Sequence, residues 1–533
     1  MPAQRAVINA SIRTMDPDFP TATAIAIDEG KIVAIGDSNS IRDVCDARTE
    51  VIDAQGWHVT PGLVDGHQHL FIGAEFGQGP SFDRVDTLTG VREVLAAERR
   101  RVGPGEWIVG FAFEYSALEG AAFHHSLIDD AAGDGPALIY ALDVHTGFAN
   151  AHALRLAGVT GSREFNDGSF IVVDDNGSPT GELREMSAIQ AVLDNRPEPS
   201  DADRLRWYAE AIAAQNAVGI TGIHQMNADA TTPGVLTALE QSGRLGMRVH
   251  VHYFVDPTLD ESTLTELLRS RDIHGRRWQG DGAKFMIDGV IDTGTAWLEE
   301  PDTHGDGLDP MWPDPELYRA TIKRFDAAGF RLTTHAIGDR AVREVLDTYE
   351  ALPASSRRHR IEHIETVPDS TIARFKQLGV TASMQPIHLR WLTPDLLDPW
   401  STRLGQPRCH HVMPSGDLSA DGALVVLGSD WPVAPYDPRL GFLSAQLRRA
   451  PDRPAHGPIG RSRPLTGLET LAGYTVNAAL ATGDPHQAGM LRVGYRADLV
   501  AWGDDIALTN PVDVVDLPVH LTMVDGDIVH RSA

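Results

Sequence analysis

The sequence predicts an α/β fold in which a (β/α)8 TIM barrel carries an inserted subdomain after its first strand, together with a small β-sandwich built from both termini. Three observations support this prediction. Apolar, strand-like runs alternate with helical stretches through the middle of the chain, as in a parallel α/β array. Eight such runs can be counted, and eight strands close a barrel. Short strand-like runs separated by glycines occur at both ends of the chain.

The two ends of the chain are predicted to form the sandwich, as residues 1–60 and 485–533. The first end contains strand-like runs at residues 6–10, 24–27, 31–35 and 50–53, and the last end contains runs at 497–502 and 519–529. Residues 61–484 are then an insertion between the two halves of the sandwich, and this insertion is the predicted barrel domain.

The barrel strands are predicted from apolar runs that finish in polar residues. These runs are residues 62–69, 219–225, 247–254, 283–288, 331–335, 360–363, 380–385 and 423–430. Helices are predicted at 204–217, 317–328, 341–352 and 370–378. The gap from about 71 to 200 is too long for a plain crossover between strands. Its glycine-containing turns indicate a folded subdomain that covers the barrel mouth.

The composition bounds the choice of partners. The 533 residues are 42% hydrophobic and 23% charged, as in an ordinary soluble globular protein. A net charge of −28 repels phosphate backbones and anionic membrane surfaces, so the expected partner is a small-molecule substrate rather than nucleic acid or a membrane. A homo-oligomer remains open. Cys45 and Cys409 are too few and too far apart for a disulfide framework, and no run is long enough to span a membrane, so we expect a cytoplasmic protein.

A His-x-His pair follows the first predicted barrel strand. Since side chains alternate between the faces of a strand, His67 and His69 point the same way and can share one ion. Other strand-like runs also end in, or contain, residues that bind metals or polarise substrates. Along the chain these are His224, His252, Lys284, His335, His363, Gln385 with His388, and Asp430. Because active sites of such barrels lie at the C-terminal ends of the strands, this pattern predicts a metal centre there.

Nitrogen and oxygen donors of this kind suit Zn²⁺, with Fe, Mn or Co compatible with the same ligands. Five or six donors exceed the needs of a closed tetrahedral site. They therefore predict an open catalytic centre that holds one ion, or two ions about 3.5–4 Å apart. A carboxylate next to such a centre can accept the proton of the attacking water and deliver it to the leaving group.

Several motifs together resemble the amidohydrolase superfamily. Quoted as they stand, they are Pro-Gly-Leu-Val-Asp-Gly-His-Gln-His (61–69), Gly-Ala-Lys-Phe-Met-Ile-Asp-Gly (282–289), His-Ala-Ile-Gly-Asp-Arg-Ala (335–341), Arg-Ile-Glu-His (360–363), Gln-Pro-Ile-His (385–388) and Gly-Ser-Asp-Trp-Pro-Val (428–433). More narrowly, the chain resembles the amidohydrolase-3 or YtcJ-like branch, which includes N-substituted formamide deformylases. Two loops depart from the branch pattern, after Asp288 and after His224, and they border the expected substrate pocket.

The resemblance implies roles for individual residues. His67 and His69 are expected to bind the first metal, His335 and His363 the second, and Asp430 to bind metal while serving as the base. Lys284 falls where the branch keeps a lysine that can be carbamylated to bridge two ions. The alternative is a charged residue at a strand end that pairs with Asp288.

Further residues are predicted to face the substrate. His145 and His388 resemble substrate-facing positions of the branch and are assigned catalytic roles, the alternative being buried histidines satisfied by backbone groups. Substrate contacts are predicted for four residues, Trp107, Asp288, Trp297 and Trp431. Phe71, Phe113, Tyr115 and Trp391 also occupy plausible positions at the mouth, although each aromatic residue can instead belong to the core.

The resulting interpretation is a metal-dependent hydrolase acting on carbon–nitrogen bonds other than peptide bonds. An activated hydroxide is expected to attack the carbonyl of a linear amide or formamide, with Asp430 as proton shuttle. Three alternatives keep the same barrel: ester or lactone hydrolysis, deamination, and a lyase or hydratase reaction. A non-catalytic scaffold descended from such enzymes is a more remote alternative.

Overall fold

The computed structural model describes residues 2–142, 144, 146–165, 169–355, 357–453, 456–484 and 487–532. The chain divides into two compact units, one formed by residues 1–69 with 211–533 and the other by residues 70–210. Among the described residues, none of the helices combines the length and the apolar character that crossing a membrane requires.

The elements before residue 211 are these, in chain order. The chain begins with β1 (Arg5–Ile8), β2 (Ser11–Arg13), β3 (Thr21–Ala22), β4 (Ala24–Asp28), β5 (Lys31–Gly36), α1 (Ser38–Arg42), β6 (Glu50–Asp53), β7 (His58–Pro61) and β8 (Leu63–Gln68). The second unit contains α2 (Leu70–Phe76), α3 (Leu88–Val102), β9 (Ile108–Phe113), α4 (Asp129–Ala132), β10 (Ala137–Ala141), β11 (Thr146–Ala149), α5 (Ala151–Leu156), β12 (Arg163–Glu164), β13 (Phe170–Val173), β14 (Pro179–Arg184) and α6 (Met186–Leu193). Helix α7 (Asp201–Asn216) follows.

The remaining elements belong to the first unit. They are β15 (Ile220–Ala228), α8 (Thr232–Gln241), β16 (Arg248–Phe254), α9 (Glu261–Ser270), β17 (Trp278–Met286), α10 (Pro315–Ala327), β18 (Arg331–Ala336), α11 (Asp339–Glu350), β19 (Arg360–His363), α12 (Asp369–Leu378), β20 (Thr381–Met384), α13 (Pro399–Leu404), α14 (Ser415–Asp421), β21 (Val425–Leu427), α15 (Pro438–Leu447), α16 (Gly467–Tyr474), α17 (Val476–Thr482), β22 (Leu499–Trp502), β23 (Val519–Val524) and β24 (Asp527–Arg531).

The central sheet of the first unit has eight parallel strands in the order β8-β15-β16-β17-β18-β19-β20-β21. Its two edge strands meet beyond their C-terminal ends, where Asp430 N donates to His67 O at 2.7 Å and His69 N donates to Trp431 O at 2.7 Å. These bonds join the edges, and the predicted (β/α)8 barrel is confirmed.

Two glycines permit this close approach of the first and last strands. A Cβ atom at Gly66 would lie 2.3 Å from Val426 Cγ1, and one at Gly428 would lie 2.5 Å from His67 N. No side chain fits either position without moving the strands apart. The glycines that flank His67 and Asp430 in sequence are therefore conditions for bringing the two residues together.

Strand and helix bounds differ from the predicted ones at several ends. Strand β17 begins at Trp278 rather than at 283, because the polar residues Gln279 and Asp281 interrupt the apolar run that the prediction relied on. Helix α10 begins at Pro315 rather than 317, since the Asp314 side chain accepts a hydrogen bond from Glu316 N and caps the first turn.

The two ends of the chain form two sheets, ordered β5-β4-β1-β6 and β24-β23-β22-β7-β2-β3. A shared core packs residues of both sheets, among them Val7, Ile25, Leu499 and Leu521. The predicted single run 519–529 is wrong: it is a hairpin of β23 and β24. Asp525 and Gly526 turn between them with φ of 51° and 70°, a conformation that asparagine, aspartate and glycine favour.

The second unit has its own sheet, in the order β12-β13-β14-β11-β10-β9. Apolar clusters form its core, and Phe113 is fully buried in one of them. Phe113 is therefore a core residue of this unit. Trp107 is partly buried and packs against the other cluster.

Candidate metal centre

Asp430 lies among the histidines at the C-terminal ends of the barrel strands. Its Oδ1 atom is 3.3 Å from His67 Nε2 and 3.2 Å from His69 Nε2, and its Oδ2 atom is 4.0 Å from His363 Nδ1. His67 belongs to β8, His363 ends β19, and Asp430 follows β21. The closed sheet thus brings together side chains that are far apart in sequence.

His335, at the end of β18, is next to this group. Its ring centroid is 4.5 Å from that of His363. The Nε2 atom of His335 is 3.0 Å from the carbonyl oxygen of Gly289, so Nε2 carries the proton and Nδ1 keeps its lone pair. The five residues predicted as the main ligand set therefore occupy neighbouring positions, and their metal-binding roles remain a prediction.

The donor atoms satisfy a test of fit for a divalent ion. His67 Nε2, His363 Nδ1 and Asp430 Oδ1 are buried and have no hydrogen-bond partner within the part of the chain that the structure describes. One ligand atom from each of these three residues lies within 4.8 Å of the others. Buried polar atoms are almost always hydrogen-bonded, so three convergent exceptions of this chemistry fit a metal site.

Glu362 and Arg360 hold the first of these histidines. His67 Nδ1 is 2.5 Å from Glu362 Oε2, and Arg360 donates to Glu362 through Nε at 2.5 Å and Nη2 at 3.1 Å. Arg360 also donates to Gly66 O at 2.6 Å. A carboxylate on Nδ1 fixes the tautomer of His67 and leaves Nε2 for a ligand. The sequence analysis quoted both residues in a motif without assigning this role.

Asn227 supports the second histidine. Its Oδ1 atom is 2.9 Å from His69 Nδ1, and Gln225 Nε2 donates to the same oxygen at 2.8 Å. His69 therefore presents Nε2 towards Asp430. Asn227 lies near the end of β15, in one of the two segments whose sequence departs from the branch pattern, and that departure was the available signal for its role.

The charges of the group follow from burial and from its neighbours. Burial alone would raise the pKa of the Asp430 carboxyl, but His67 and His69 hold it well below its usual range. Burial lowers the pKa of His363 well below its usual value and that of His335 to about 3. His335 and His363 are therefore neutral and the Asp430 carboxylate is ionised at neutral pH, which are the protonation states that metal ligands need.

Lys284 is buried in β17, with 2% of its surface exposed. Burial lowers the pKa of its amine to about 8, although Glu362 and Asp430 act in the opposite direction. Asp288, the alternative ion-pair partner for this lysine, instead accepts hydrogen bonds from three backbone N–H groups. The bridging role of Lys284 remains a prediction.

Asp288 organises the loops behind His335. Its carboxylate accepts from Trp297 N at 2.9 Å, Ile337 N at 3.0 Å and Gly338 N at 2.8 Å. Burial raises the pKa of Asp288 to about 7, against the effect of these bonds. The contacts indicate a structural role, whereas the predicted substrate contact of Asp288 is untested.

His388 faces Asp430 from the short 3₁₀ helix Pro386–Trp391. Its Nε2 atom is buried, lies 3.8 Å from Asp430 Oδ2, and has no hydrogen-bond partner among the described residues. The Trp391 ring packs against it with centroids 4.6 Å apart. His388 is thus placed beside the predicted base, as a catalytic role requires.

The other predicted site residues have varied surroundings. Trp431 packs edge-on against Tyr436 with centroids 5.4 Å apart, directly after Asp430. Trp297 is buried under the guanidinium of Arg340, which lies 5.1 Å from its ring. His145 lies outside the described residues.

Two strand histidines belong to a different cluster, and their predicted place at the strand ends is wrong. His224 lies in mid-strand because β15 continues to Ala228, beyond the predicted end at 225. His252 lies inside β16, which ends at Phe254 as predicted. With His250 they form an interior histidine cluster whose ring centroids are 5.0–6.0 Å apart. His224 Nδ1 is 2.6 Å from Arg360 Nη1, so this cluster lies behind the metal-ligand candidates.

Two candidate ligands have a left-handed backbone conformation. His363 and Asp430 have φ of 74° and 62°, a region that few residues other than glycine adopt and in which asparagine, aspartate and histidine are enriched. Such conformations persist where the surrounding structure enforces them, and they concentrate at functional sites.

A comparison with protein families decides the assignment. A sequence-family model, described as the amidohydrolase family, matches residues 50–530 of this chain. The chain belongs to the amidohydrolase family. The resemblance inferred from the motifs is thereby confirmed over nearly the whole chain.

This amidohydrolase is similar to two curated proteins over nearly their full length. It is 26% identical to the N-substituted formamide deformylase of Arthrobacter pascens, over 98% of this chain and 97% of that one. It is 27% identical to YtcJ of Bacillus subtilis (strain 168), over 98% of each chain.

A solved structure has the same fold. It is that of an uncharacterized metal-dependent hydrolase from Pyrococcus horikoshii OT3, with a TM-score of 0.76 and 23% identity. The match covers 95% of this amidohydrolase and 99% of that chain. At this identity the likeness establishes the fold.

Proposed function

We propose that this amidohydrolase is a metal-dependent hydrolase that cleaves a linear C–N bond in an N-substituted formamide or a related amide. The observation that carries the proposal is the convergence of His67, His363 and Asp430, whose ligand atoms lie within 4.8 Å of one another. The similarity to N-substituted formamide deformylase supports the class of bond.

The proposed metal ligands are His67, His69, His335, His363 and Asp430. Their nitrogen and oxygen donors suit Zn²⁺, with Fe, Mn or Co as alternatives and with one or two ions per site. When bound, the metal would act as a Lewis acid on the substrate carbonyl and lower the pKa of a coordinated water molecule.

Asp430 is the proposed proton shuttle. Its carboxylate is ionised and 7% exposed, so it can accept a proton from the attacking water and release it to the departing amine. Trp431 follows it directly and is proposed to contact the substrate. The other proposed substrate contacts are Trp107 and Trp297.

His388 is the proposed second catalytic group. The unpartnered Nε2 atom beside Asp430 can hydrogen-bond the substrate carbonyl or the leaving nitrogen. Trp391 packs against its ring and limits its movement.

Lys284 is proposed to be carbamylated. The neutral amine would attack CO₂, forming an Nζ–carboxylate and releasing one proton. Its burial supports this proposal, because an unmodified ammonium so far from water would be costly and would repel bound cations. The carbamate would supply another oxygen donor.

The setting proposed for this chemistry is cytoplasmic, with a small molecule as the substrate. The two cysteines are free, and the acidic surface disfavours nucleic acid.

The test measures metal content by mass spectrometry together with hydrolysis of a panel of formamides and amides. We expect bound metal, loss of activity on chelation, and recovery on adding the metal back. Asp430→Asn should lower kcat on the order of 10²–10⁴-fold. Asp314→Asn is the control, since asparagine also caps a helix well. Unchanged amide hydrolysis by metal-free protein would refute the proposal.

A further inference from the structure

Gln385 carries a buried amide that the described residues leave unsatisfied. The residue follows β20 and is 2% exposed. Neither its Nε2 atom nor its Oε1 atom has a hydrogen-bond partner in the described part of the chain. Because both atoms are unpaired, the observation does not depend on which way the amide is turned. Enclosed amides normally pair both groups, so this one requires an explanation.

The strand geometry places this amide on the interior face of the barrel, between the strands that carry His363 and lead to Asp430. Ser383 faces the barrel interior, where its Oγ atom accepts from Arg360 Nη2 at 2.6 Å. Gln385 is two residues further along, directly after Met384 at the end of β20, and therefore shares that face. Ser383 pairs with Glu362 on one side and with Val426 on the other. Gln385 is thus level with the positions just beyond His363 and just before Asp430.

Its neighbours carry unpaired atoms of the same kind. His363 Nδ1, His388 Nε2 and Asp430 Oδ1 are also buried without partners among the described residues. These residues follow the adjacent strands β19, β20 and β21. The metal accounts for two of these residues, and the proposed catalytic role accounts for His388. The amide of Gln385 is not a usual ligand of Zn²⁺, so its role is a separate question.

We propose that Gln385 recognises the substrate by pairing with its amide group, and so determines specificity for amides over esters. This inference rests on the proposed function and narrows its substrate class. Gln385 Oε1 would accept the N–H of the scissile unit, and Nε2 would donate to a carbonyl oxygen. Pairing with both atoms requires a ligand whose N–H and C=O groups point to the same side, as in the cis form of an N-substituted formamide, whereas the trans form can pair its N–H with Gln385 Oε1 alone.

The chain shows this pairing elsewhere. Gln68 Nε2 donates to Gln215 Oε1 at 3.1 Å, and Gln215 Nε2 donates to Gln68 Oε1 at 2.9 Å. Both residues of that pair are buried and satisfied. Gln385 has the same groups with no such partner among the described residues, and a substrate amide offers the N–H group that Oε1 can accept.

Esters would be rejected because they lack the N–H group. An ester at this position leaves Gln385 Oε1 buried and unpaired, and sites built to hydrogen-bond a donor discriminate strongly against analogues that lack it. The metal ligands are suited to the hydrolysis of amides and of esters alike. In this proposal it is Gln385 that makes the site prefer amides.

The test compares N-cyclohexylformamide with cyclohexyl formate. The two probes differ only in the atom that joins the formyl group to the ring, which is N–H in the amide and oxygen in the ester. Metal-loaded full-length wild type, Gln385→Met and Gln446→Met are assayed for kcat/KM on both probes. Methionine resembles glutamine in size and lacks both polar groups. Gln446 lies partly buried on α15 and is the matched control. Circular dichroism and thermal melting establish that each variant is folded.

We expect wild type to prefer the formamide, and Gln385→Met to lower kcat/KM for it on the order of 10²-fold while changing the rate on the formate little. Gln446→Met should keep the wild-type ratio. Equal losses on the two probes, or an unchanged preference in Gln385→Met, would overturn the role of Gln385 and leave the proposed hydrolase intact.

A wild type that hydrolyses neither probe would refute the proposed function, and binding then decides the role of Gln385 separately. Calorimetric titration with N-cyclohexylformamide should show tighter binding to wild type than to Gln385→Met, with no such difference for cyclohexyl formate. Equal affinities, or no binding of the formamide to wild type, would overturn the role of Gln385 as well.

Discussion

The orientation of His67 is fixed by two buried charged residues, Glu362 and Arg360. No local sequence pattern predicts this contact. Glu362 accepts from Arg360 and contacts His67 Nδ1 at 2.5 Å. Burial alone would raise the pKa of Glu362, but Arg360 and His67 hold it well below its usual value. An anionic partner on Nδ1 makes His67 Nε2 a stronger electron-pair donor to a metal ion. Metal binding by His67 should therefore depend on Glu362 as well as on the histidine itself.

Glu362→Gln tests this support. The amide keeps the shape but removes the charge, so metal affinity should fall about 10–100-fold, as for other partners of ligand histidines. Equilibrium dialysis with metal analysis measures the change. Glu344→Gln is the control, because Glu344 is also buried and paired with arginine, at Arg319 and Arg340. Wild-type metal affinity in Glu362→Gln would contradict the role given to Glu362.

At this scale the sequence singled out the candidate ligands but not the residues that support them. His67, His69, His335, His363 and Asp430 were identifiable because each ends a strand and belongs to a motif. Asn227 was not singled out, and Gln385 was named among the strand-end residues without a role of its own, because both roles depend on hydrogen-bond partners that only the three-dimensional structure defines. His224 was misplaced because β15 continues to Ala228, and His252 because its run was predicted to 254 but the histidine lies inside it.

At the scale of elements, strand β8 is held by a pair of buried amides. Gln68, on the face opposite His67 and His69, exchanges two hydrogen bonds with Gln215 of α7. A strand shifted by one residue would turn its histidines away from the centre. The pair thus fixes the register on which the metal ligands depend.

Gln215→Leu should destabilise the fold, because it leaves the buried amide of Gln68 without a hydrogen-bond partner. The free energy of unfolding is expected to fall by about 1–3 kcal/mol, the usual penalty for a buried polar group without its partner. Urea denaturation measures it. The double variant Gln68→Leu with Gln215→Leu should recover part of the loss, because no polar group then remains buried and unpaired. Additive losses in the double variant would show that the two amides act independently.

Element bounds were predictable where the apolar pattern was unbroken. Strand β19 has the predicted bounds, Arg360–His363. Strand β21 is shorter than predicted and ends at Leu427, before Asp430, whose φ of 62° departs from strand geometry. Such ends depend on helix caps and on residues with left-handed φ, which the hydrophobic pattern does not reveal.

At the scale of the whole molecule, the barrel encloses polar groups that stay neutral. Burial lowers the pKa values of His224 and His252 well below the usual 6.5. In the unfolded chain these imidazoles regain ordinary pKa values. Below pH 6.5 the unfolded state therefore binds protons that the folded state does not, and stability falls as the pH decreases.

The contribution of these two histidines to the free energy of unfolding should thus be flat above pH 7 and fall from about pH 6.5 downwards, by up to about 1.4 kcal/mol per pH unit for each histidine. His252→Gln should make this fall shallower, since one group no longer titrates. His274→Gln is the control, because His274 is exposed. Urea titrations at a series of pH values provide the measurement. An unchanged slope in His252→Gln would contradict the account.

The overall architecture was predictable because it depends on periodicity alone. Eight apolar runs separated by helices specify a barrel whatever residues line its mouth, and the two β-rich ends indicated the terminal sheets. The internal order of those sheets could not be read, since β7 pairs with β22 across most of the sequence, from His58↔Trp502 to Pro61↔Leu499, and no local pattern specifies that pairing.

The central claim is that one inorganic centre is held where the ends of the barrel strands meet. Anomalous diffraction from crystals of the metal-loaded protein, collected on both sides of the metal absorption edge, tests it most directly. The account predicts a peak about 2.0–2.2 Å from His67 Nε2 and from an Asp430 oxygen, with His363 beside it. A protein that takes up no metal, or a peak away from these three residues, would contradict it.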